Sequence, residues 1–293
     1  MRRLLRYSGY ALAAVAALVA VAVTAVYAMS ARDMRRTYTV PASPVRAATA
    51  SAEIERGEHL VSAIGKCQDC HGDDFGGQQM MDDPVFARLW ARNITAGEGG
   101  IAGYTDADWE RAVRHGVGRD GRSLVFMPAE AYQAMSDDDL AAVIGYLRSV
   151  APVDRVTPAP EVGPVARALH LRGNFPLLPA AMVDHGNRPP RPAPGATVEY
   201  GRYLASIGGC RGCHGADLDG TNDPAAPDIS PAGVTAGWTE ADFFRALRQG
   251  TRPDGTAING DLMPWARSGL MTDEEMRAVW LYMRSLPATP AAS

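Results

Sequence analysis

All four cysteines of this 293-residue chain stand in two short stretches, "KCQDCHG" from Lys66 to Gly72 and "GCRGCHG" from Gly209 to Gly215. Each stretch places two thiols three positions apart and a histidine directly after the second. The surroundings repeat as well. "ERGEHLVSAIGKCQDCHG" (from Glu55) matches "EYGRYLASIGGCRGCHG" (from Glu199) with one residue dropped. "GYTDADWERAVRHGVGRDG" is answered by "GWTEADFFRALRQGTRPDG", and "MPAEAYQAMSDDDLAAVIGYLRSV" by "MPWARSGLMTDEEMRAVWLYMRSL". Internal repetition in one order means two copies of one structural unit. Each copy has roughly 90–100 residues, near the small end of domain sizes.

Each copy reads as three helices joined by long loops rich in Gly, Asp and Asn. The first helix leads into the cysteine stretch. The second begins at Thr105 or Thr239 with an acid three residues on, and the third at Ser136 or Thr272 likewise, the pattern of an N-terminal cap. Leu140, Val143, Ile144 and Leu147 follow the spacing of one helical face. No alternating strand pattern stands out, so the fold class expected is all-α. A unit this small buries little apolar surface of its own. Something bound should fill its centre.

Cys-x-x-Cys-His points to covalent attachment of a c-type haem. Two thiols on one short turn add to the porphyrin edge, and the next histidine faces the iron. The expected thioether residues are Cys67, Cys70, Cys210 and Cys213, and the expected iron ligands on one side are His71 and His214. A zinc site needs four ligands, and the two motifs lie 143 residues apart (67 to 210). Thiol exchange would expect a βαβ setting, and a structural disulfide would leave both histidines without a purpose. The expected cofactors are therefore two covalently bound haems.

The second axial ligand should be a methionine. Two methionine pairs align in the repeat, Met127 with Met263 and Met135 with Met271. Met135 and Met271 directly precede the caps Ser136 and Thr272, where a hydrophobic staple to Leu140 or Met276 accounts for them. Met127 and Met263 lie in loops stiffened by Pro128 and Pro264 and are the expected ligands. Tyr104 and Trp238 occupy one place in the repeat, where they either donate to a haem propionate or pack in the core. Arg119 and Arg252 read as solvated loop charges, with propionate pairing as the alternative, and His59, His115, His170 and His185 as surface or packing residues.

The motif, the distal Met-Pro and the capped last helix resemble the class I cytochrome c family in tandem dihaem form, over about residues 52–151 and 197–287. The second half of each copy is similar to the cytochrome subunits of membrane-bound periplasmic dehydrogenases. Those often carry three such domains, and this chain has two. The resemblance implies that the first and last helices of each copy cross at a small residue, here Gly57 or Gly201, with Tyr146 or Tyr282 beside it.

Gly9 to Met29 carries no charge over 21 residues, enough for a helix of about 30 Å, the thickness of a bilayer core. Residues 1–36 are expected to be an uncleaved anchor, with "Val26-Tyr27-Ala28" as the alternative cleavage site. A tether (37–51), the first domain (52–151), a connector (152–196), the second domain (197–287) and a tail (288–293) follow. The connector holds ten prolines, and its apolar middle should lie against a domain. Haem attachment belongs outside the reducing cytosol, which puts both domains on the periplasmic side of the plasma membrane and the arginine-led N-terminus inside.

The net charge is −4, or −7 with Arg2, Arg3 and Arg6 set aside, so nucleic acid is not an expected partner. The expected function is single-electron transfer by a membrane-anchored dihaem cytochrome c. Its expected partners are the membrane, a donor dehydrogenase or quinol-oxidising complex, and an acceptor cytochrome or terminal oxidase. One alternative is the electron-accepting subunit of a periplasmic alcohol or aldehyde dehydrogenase. Another is a catalytic dihaem enzyme, which would need an open iron where both copies offer a methionine.

Overall fold

Both copies build their helices from the same local signals, as a computed structural model of the chain shows. It describes residues 2–288 apart from 174, 222 and 224; the tail expected over 288–293 lies outside them beyond its first residue. Helix α1 (Arg2–Met34) comes first. Its stretch Arg6–Met34 is long and apolar enough to cross a membrane. Segment 37–51 does not hang free. The Tyr38 amide donates to Gly121 at 2.8 Å, the Ala48 amide donates to Ala141 at 2.9 Å, and Val45 is buried.

The first domain runs α2 (Ser51–His59), α3 (Cys67–His71), α4 (Asp106–His115), α5 (Ala129–Tyr132) and α6 (Asp137–Ser149). The connector adds α7 (Pro164–Leu171) and a short 3-10 turn. The second domain repeats the scheme as α8 (Val198–Ile207), α9 (Cys210–His214), α10 (Glu240–Gln249), α11 (Trp265–Ser268) and α12 (Asp273–Ser285). Thr105 with Asp108 and Thr239 with Asp242 close complete capping boxes, and both helices end on a left-handed glycine, Gly116 (φ 61°) or Gly250 (φ 63°). Losing one such cap is expected to be felt locally. Thr239→Ala should cost about 1 kcal/mol, read as a lower denaturant midpoint at unchanged slope.

The dropped residue has a structural counterpart. Copy two reaches its cysteines through regular α8, whereas copy one passes from α2 into a π-helical turn, Leu60–Ile64. A single-residue insertion absorbed as a π-bulge leaves the faces before and after it unchanged. The first and last helices then cross at Gly57 and Gly201. A methyl group on Gly57 would lie 2.1 Å from the Ala142 carbonyl oxygen and 2.9 Å from Tyr146 Cβ. At Gly201 the distances are 1.9 Å to Ala278 and 2.9 Å to Tyr282. Only glycine permits backbones that close, so the crossing implied by the family resemblance is present in both halves.

One feature has no warning in the sequence pattern. In copy one, β1 (Gln79–Asp83), β2 (Ala87–Trp90) and connector strand β3 (Glu161–Val162) form a small antiparallel sheet, with Ala87 opposite Val162. "QMMDD" does not alternate, so the strand is held by its partners rather than by a buried face. The all-α class stands with this addition. The connector's apolar middle packs more widely than on a domain alone. Val162, Ala166, Leu177 and Leu178 form a small core against which Met34 of α1 packs. Arg167 hydrogen-bonds Ser30 at 2.9 Å and lies 4.4 Å from the centre of the Tyr27 ring.

The two domains share one continuous core. Their contact is reciprocal. His59 of α2 meets Glu275 at the start of α12 at 2.7 Å, and Tyr203 of α8, which aligns with His59, donates to Asp139 at the start of α6 at 2.6 Å. This alters one cap. Glu275 closes a capping box with Thr272, but Asp139 does not close one with Ser136. The Ser136 amide donates instead to the Tyr203 hydroxyl, and the Asp139 carboxylate takes Arg56, Arg191 and Tyr203.

Candidate functional site

In each copy the cysteines occupy one short helix entered through a left-handed residue, Lys66 (φ 51°) or Gly209 (φ 73°). Each leaves through a glycine with φ near 80° or 88°, and then through a bulky residue at positive φ, Phe75 (56°) or Leu218 (59°), which is buried. Such a path is costly for side-chain-bearing residues. Finding it twice shows that the surroundings impose it. The amides of Gly77 and Gly220 close the loop onto the carbonyls of His71 and His214, at 2.8 and 2.7 Å.

The four thiols are unpaired. Desolvation, then the neighbouring Cys70, pushes Cys67 up to about 12. Desolvation raises Cys70, Cys210 and Cys213 as well. A thiol-exchange centre depends on a depressed thiol pKa, and these four shift the other way. Among the described residues no group of three or more His, Cys, Asp or Glu is arranged to hold a free metal ion.

The histidines are fixed alike. His71 Nδ1 lies 2.8 Å from the Arg92 carbonyl oxygen, and His214 Nδ1 lies 2.8 Å from that of Pro227. A carbonyl only accepts, so each Nδ1 carries the proton and each Nε2 keeps its lone pair. That is the tautomer a metal ligand requires, with the orienting partner such ligands usually have. Desolvation also lowers the His71 pKa against the pull of Arg92, which favours the neutral ring. The accepting carbonyls are held by the residues that follow them. The Asn93 carboxamide oxygen accepts from the Thr95 amide at 2.9 Å, and Asp228 does the same for Ser230 at 2.8 Å. The repeated "NIT" and "DIS" are thus the brackets behind the histidines.

Met127 and Met263 are partly buried and pack against the shared core, as do Cys67 and Tyr104 of one copy and Cys210 and Trp238 of the other. Each precedes a proline of near-identical geometry, Pro128 (φ −79°, ψ 56°) or Pro264 (φ −75°, ψ 57°), at the head of α5 or α11. Met135 and Met271 are more deeply buried, next to the caps. Tyr104 sits under Arg119, whose guanidinium lies 5.4 Å from the ring centre and 3.6 Å from Asp108. Arg252 is tied within its own turn to Thr256 and Ala257.

The residues fit covalent haem: free thiol pairs on one turn, an imidazole oriented through Nδ1, and a thioether held by proline on the same core, all twice. Several contributors escaped the sequence reading. Arg114 and Arg248, each nine residues after the cap Thr105 or Thr239, hold the carbonyls of Met135 and Met271 at 2.9 and 3.1 Å. Their matching repeat positions were the available signal. Of the unpaired histidines, His59 joins the domain contact, His115 faces His185 at 3.1 Å, and His170 lies 3.5 Å from Asp33.

Comparison with known proteins agrees with this geometry. Residues 52–147 match the family model described as cytochrome c oxidase, cbb3-type, subunit III, and residues 198–287 match the model described as cytochrome c. The chain is 27% identical to the cytochrome c subunit of alcohol dehydrogenase (quinone) from Gluconacetobacter polyoxogenes, covering 88% of this chain and 62% of that one. It is 30% identical to the gluconate 2-dehydrogenase cytochrome c subunit from Pantoea cypripedii, over 82% of this chain and 61% of that one. It thus spans about three fifths of those relatives. A dihaem c-type cytochrome from Cereibacter sphaeroides is 27% identical and matched over 86% of this chain and 92% of its own length. Residues 52–147 and 198–287 are each a cytochrome c-type domain, so the chain carries two such domains in tandem.

Proposed function

We propose that the chain is a membrane-anchored dihaem cytochrome c that passes single electrons between redox proteins on the periplasmic side. The observation that carries this is the doubled histidine bracket: two imidazoles, each fixed through Nδ1 to a loop carbonyl and each accompanied by free thiols and a Met-Pro loop. Cys67, Cys70, Cys210 and Cys213 would hold the two groups covalently. His71 with Met127, and His214 with Met263, would be the axial pairs. Haem supplies a reversible one-electron couple when bound, and a methionine ligand sets it high.

The chain's own residues determine the rest. The brackets at Asn93 and Asp228 stop the rings from rotating, so little reorganises as charge changes. Both sites lie against the shared core, and the reciprocal contact fixes one site relative to the other. Helix α1, held against α7 by Arg167, is the proposed single-pass anchor. It would limit the domains to partners at the same membrane face, a donor dehydrogenase or quinol-oxidising complex and an acceptor cytochrome or terminal oxidase.

A second reading is favoured by the relatives. Several are cytochrome subunits of dehydrogenases, so this chain as the electron-accepting arm of such a complex is the same chemistry with a fixed donor. Its match to nearly the full length of a dihaem relative favours the two-centre carrier.

Mass spectrometry and optical spectroscopy of protein matured in a host that attaches haem test the proposal. The expected result is a mass two haems above the polypeptide, retention in carbonate-washed membranes, and two low-spin centres in both redox states. A polypeptide of unmodified mass, or a high-spin centre in either domain, would refute it.

A further inference from the structure

The chain contains 28 arginines and a single lysine. That lysine, Lys66, directly precedes Cys67, at the end of the segment lengthened by the π-turn and at the position that Gly209 fills in copy two. It holds a left-handed backbone, φ 51° and ψ 42°, a conformation that glycine and asparagine adopt more readily than lysine. A cheaper residue was therefore available at this position, and copy two has it.

The side chain shows what the lysine does. Its Nζ donates to the Ile64 carbonyl at 3.0 Å and, across the domain boundary, to the Gly208 carbonyl at 2.6 Å. Gly208 lies two residues before Cys210. Lys66 and Cys210 line one small cavity together with Ile64, Leu204 and Met271. Both of these acceptors are neutral, so the bonds hold the ammonium without cancelling its charge. It adjoins Cys67 in the chain on one side and shares the cavity with Cys210 on the other. An ammonium carries three N–H donors and no acceptor, so it serves two carbonyls at once and keeps its charge.

We propose that Lys66 is a positioning residue for both haems at once: it clasps the second attachment loop to the first and places one positive charge between the two centres. The proposal rests on the dihaem reading above. A reduced centre carries one positive charge fewer than an oxidised one, so a fixed cation nearby favours the reduced form and raises the potential. Being shared, it raises both.

The experiment is a spectroelectrochemical titration of the full-length, haem-loaded protein, comparing wild type with Lys66→Asn and Lys66→Arg. Asparagine keeps a residue that tolerates the left-handed backbone but removes the cation and the clasp. Both midpoints are expected to fall in Lys66→Asn, with faster amide hydrogen exchange at residues 208–210, and Lys66→Arg is expected to restore both midpoints. Unchanged midpoints in Lys66→Asn with two haems bound, or a fall at one centre alone, would overturn the shared charge. Equally low midpoints in Lys66→Arg would overturn it too, because charge would then not be the cause. Mass spectrometry of the same wild-type sample separates these results from failure of the dihaem reading, which would show as missing haem before any variant is compared.

Discussion

Replacing Asp139 by alanine is expected to destabilise the protein by about 3–5 kcal/mol, the usual cost of removing one partner from a buried ion pair. The Asp139 side chain has no exposed surface. Its carboxylate accepts from Arg56 at 2.7 and 3.0 Å, from Arg191 at 3.1 Å and from Tyr203 at 2.6 Å. These donors come from the first domain, the connector and the second domain, so one substitution loosens all three. Desolvation alone would raise the carboxyl pKa, but the Arg56 hydrogen bond and charge, with Tyr203 and Arg191, outweigh it and hold it below its usual range. The sign of the pH effect follows. A carboxyl depressed on folding stabilises fully above its unfolded pKa of about 3.9, and that contribution is lost as pH falls through the folded value. Guanidinium unfolding of wild type and Asp139→Ala should show a wide gap at pH 7 that narrows below about pH 4. A gap under about 1 kcal/mol at pH 7 would show that the site relaxes around the loss.

Gly201→Ala should be almost as damaging, at about 3 kcal/mol, the upper part of the range for overpacked cores. The added methyl would lie 1.9 Å from the Ala278 carbonyl oxygen and 2.4 Å from its carbon. Both are backbone atoms inside α12, so no side-chain rotation makes room and the crossing helices must separate. Gly237→Ala is the control, since a Cβ there meets nothing within 4 Å and the φ is ordinary. Denaturant midpoints followed by far-UV circular dichroism should separate the two variants clearly. Equal midpoints would mean that the helices can slide apart without loss of core contact.

Much of the fold was readable because the chain states it twice. Thr105, Thr239 and Thr272 mark helix starts by local chemistry alone, and all three close the boxes their spacing suggests. The proposed attachment residues stood out because few arrangements need two thiols and a histidine in five positions. What stayed hidden depends on partners distant in sequence. Ser136 and Asp139 have the capping spacing, but Tyr203, 64 residues beyond Asp139, claims the carboxylate. The sheet at Gln79–Trp90 is completed by a connector strand some 70 residues later. The histidine brackets use main-chain carbonyls, which no residue type announces. Lys66 was passed over as part of a motif, although its singularity in the composition was visible from the start.

The π-turn at Leu60–Ile64 has a consequence for the duplication itself. One extra residue in a plain helix would rotate everything beyond it by about 100°, and the cysteines would no longer face inward. Taken up as a bulge, the insertion leaves the faces on either side unchanged, and the segment it lengthens ends at Lys66, the only ammonium side chain of the molecule. The two halves are thereby copies that are not interchangeable: grafting the shorter segment of the second into the first would delete the bulge and the lysine in one stroke, and with them the clasp to the Gly208 carbonyl.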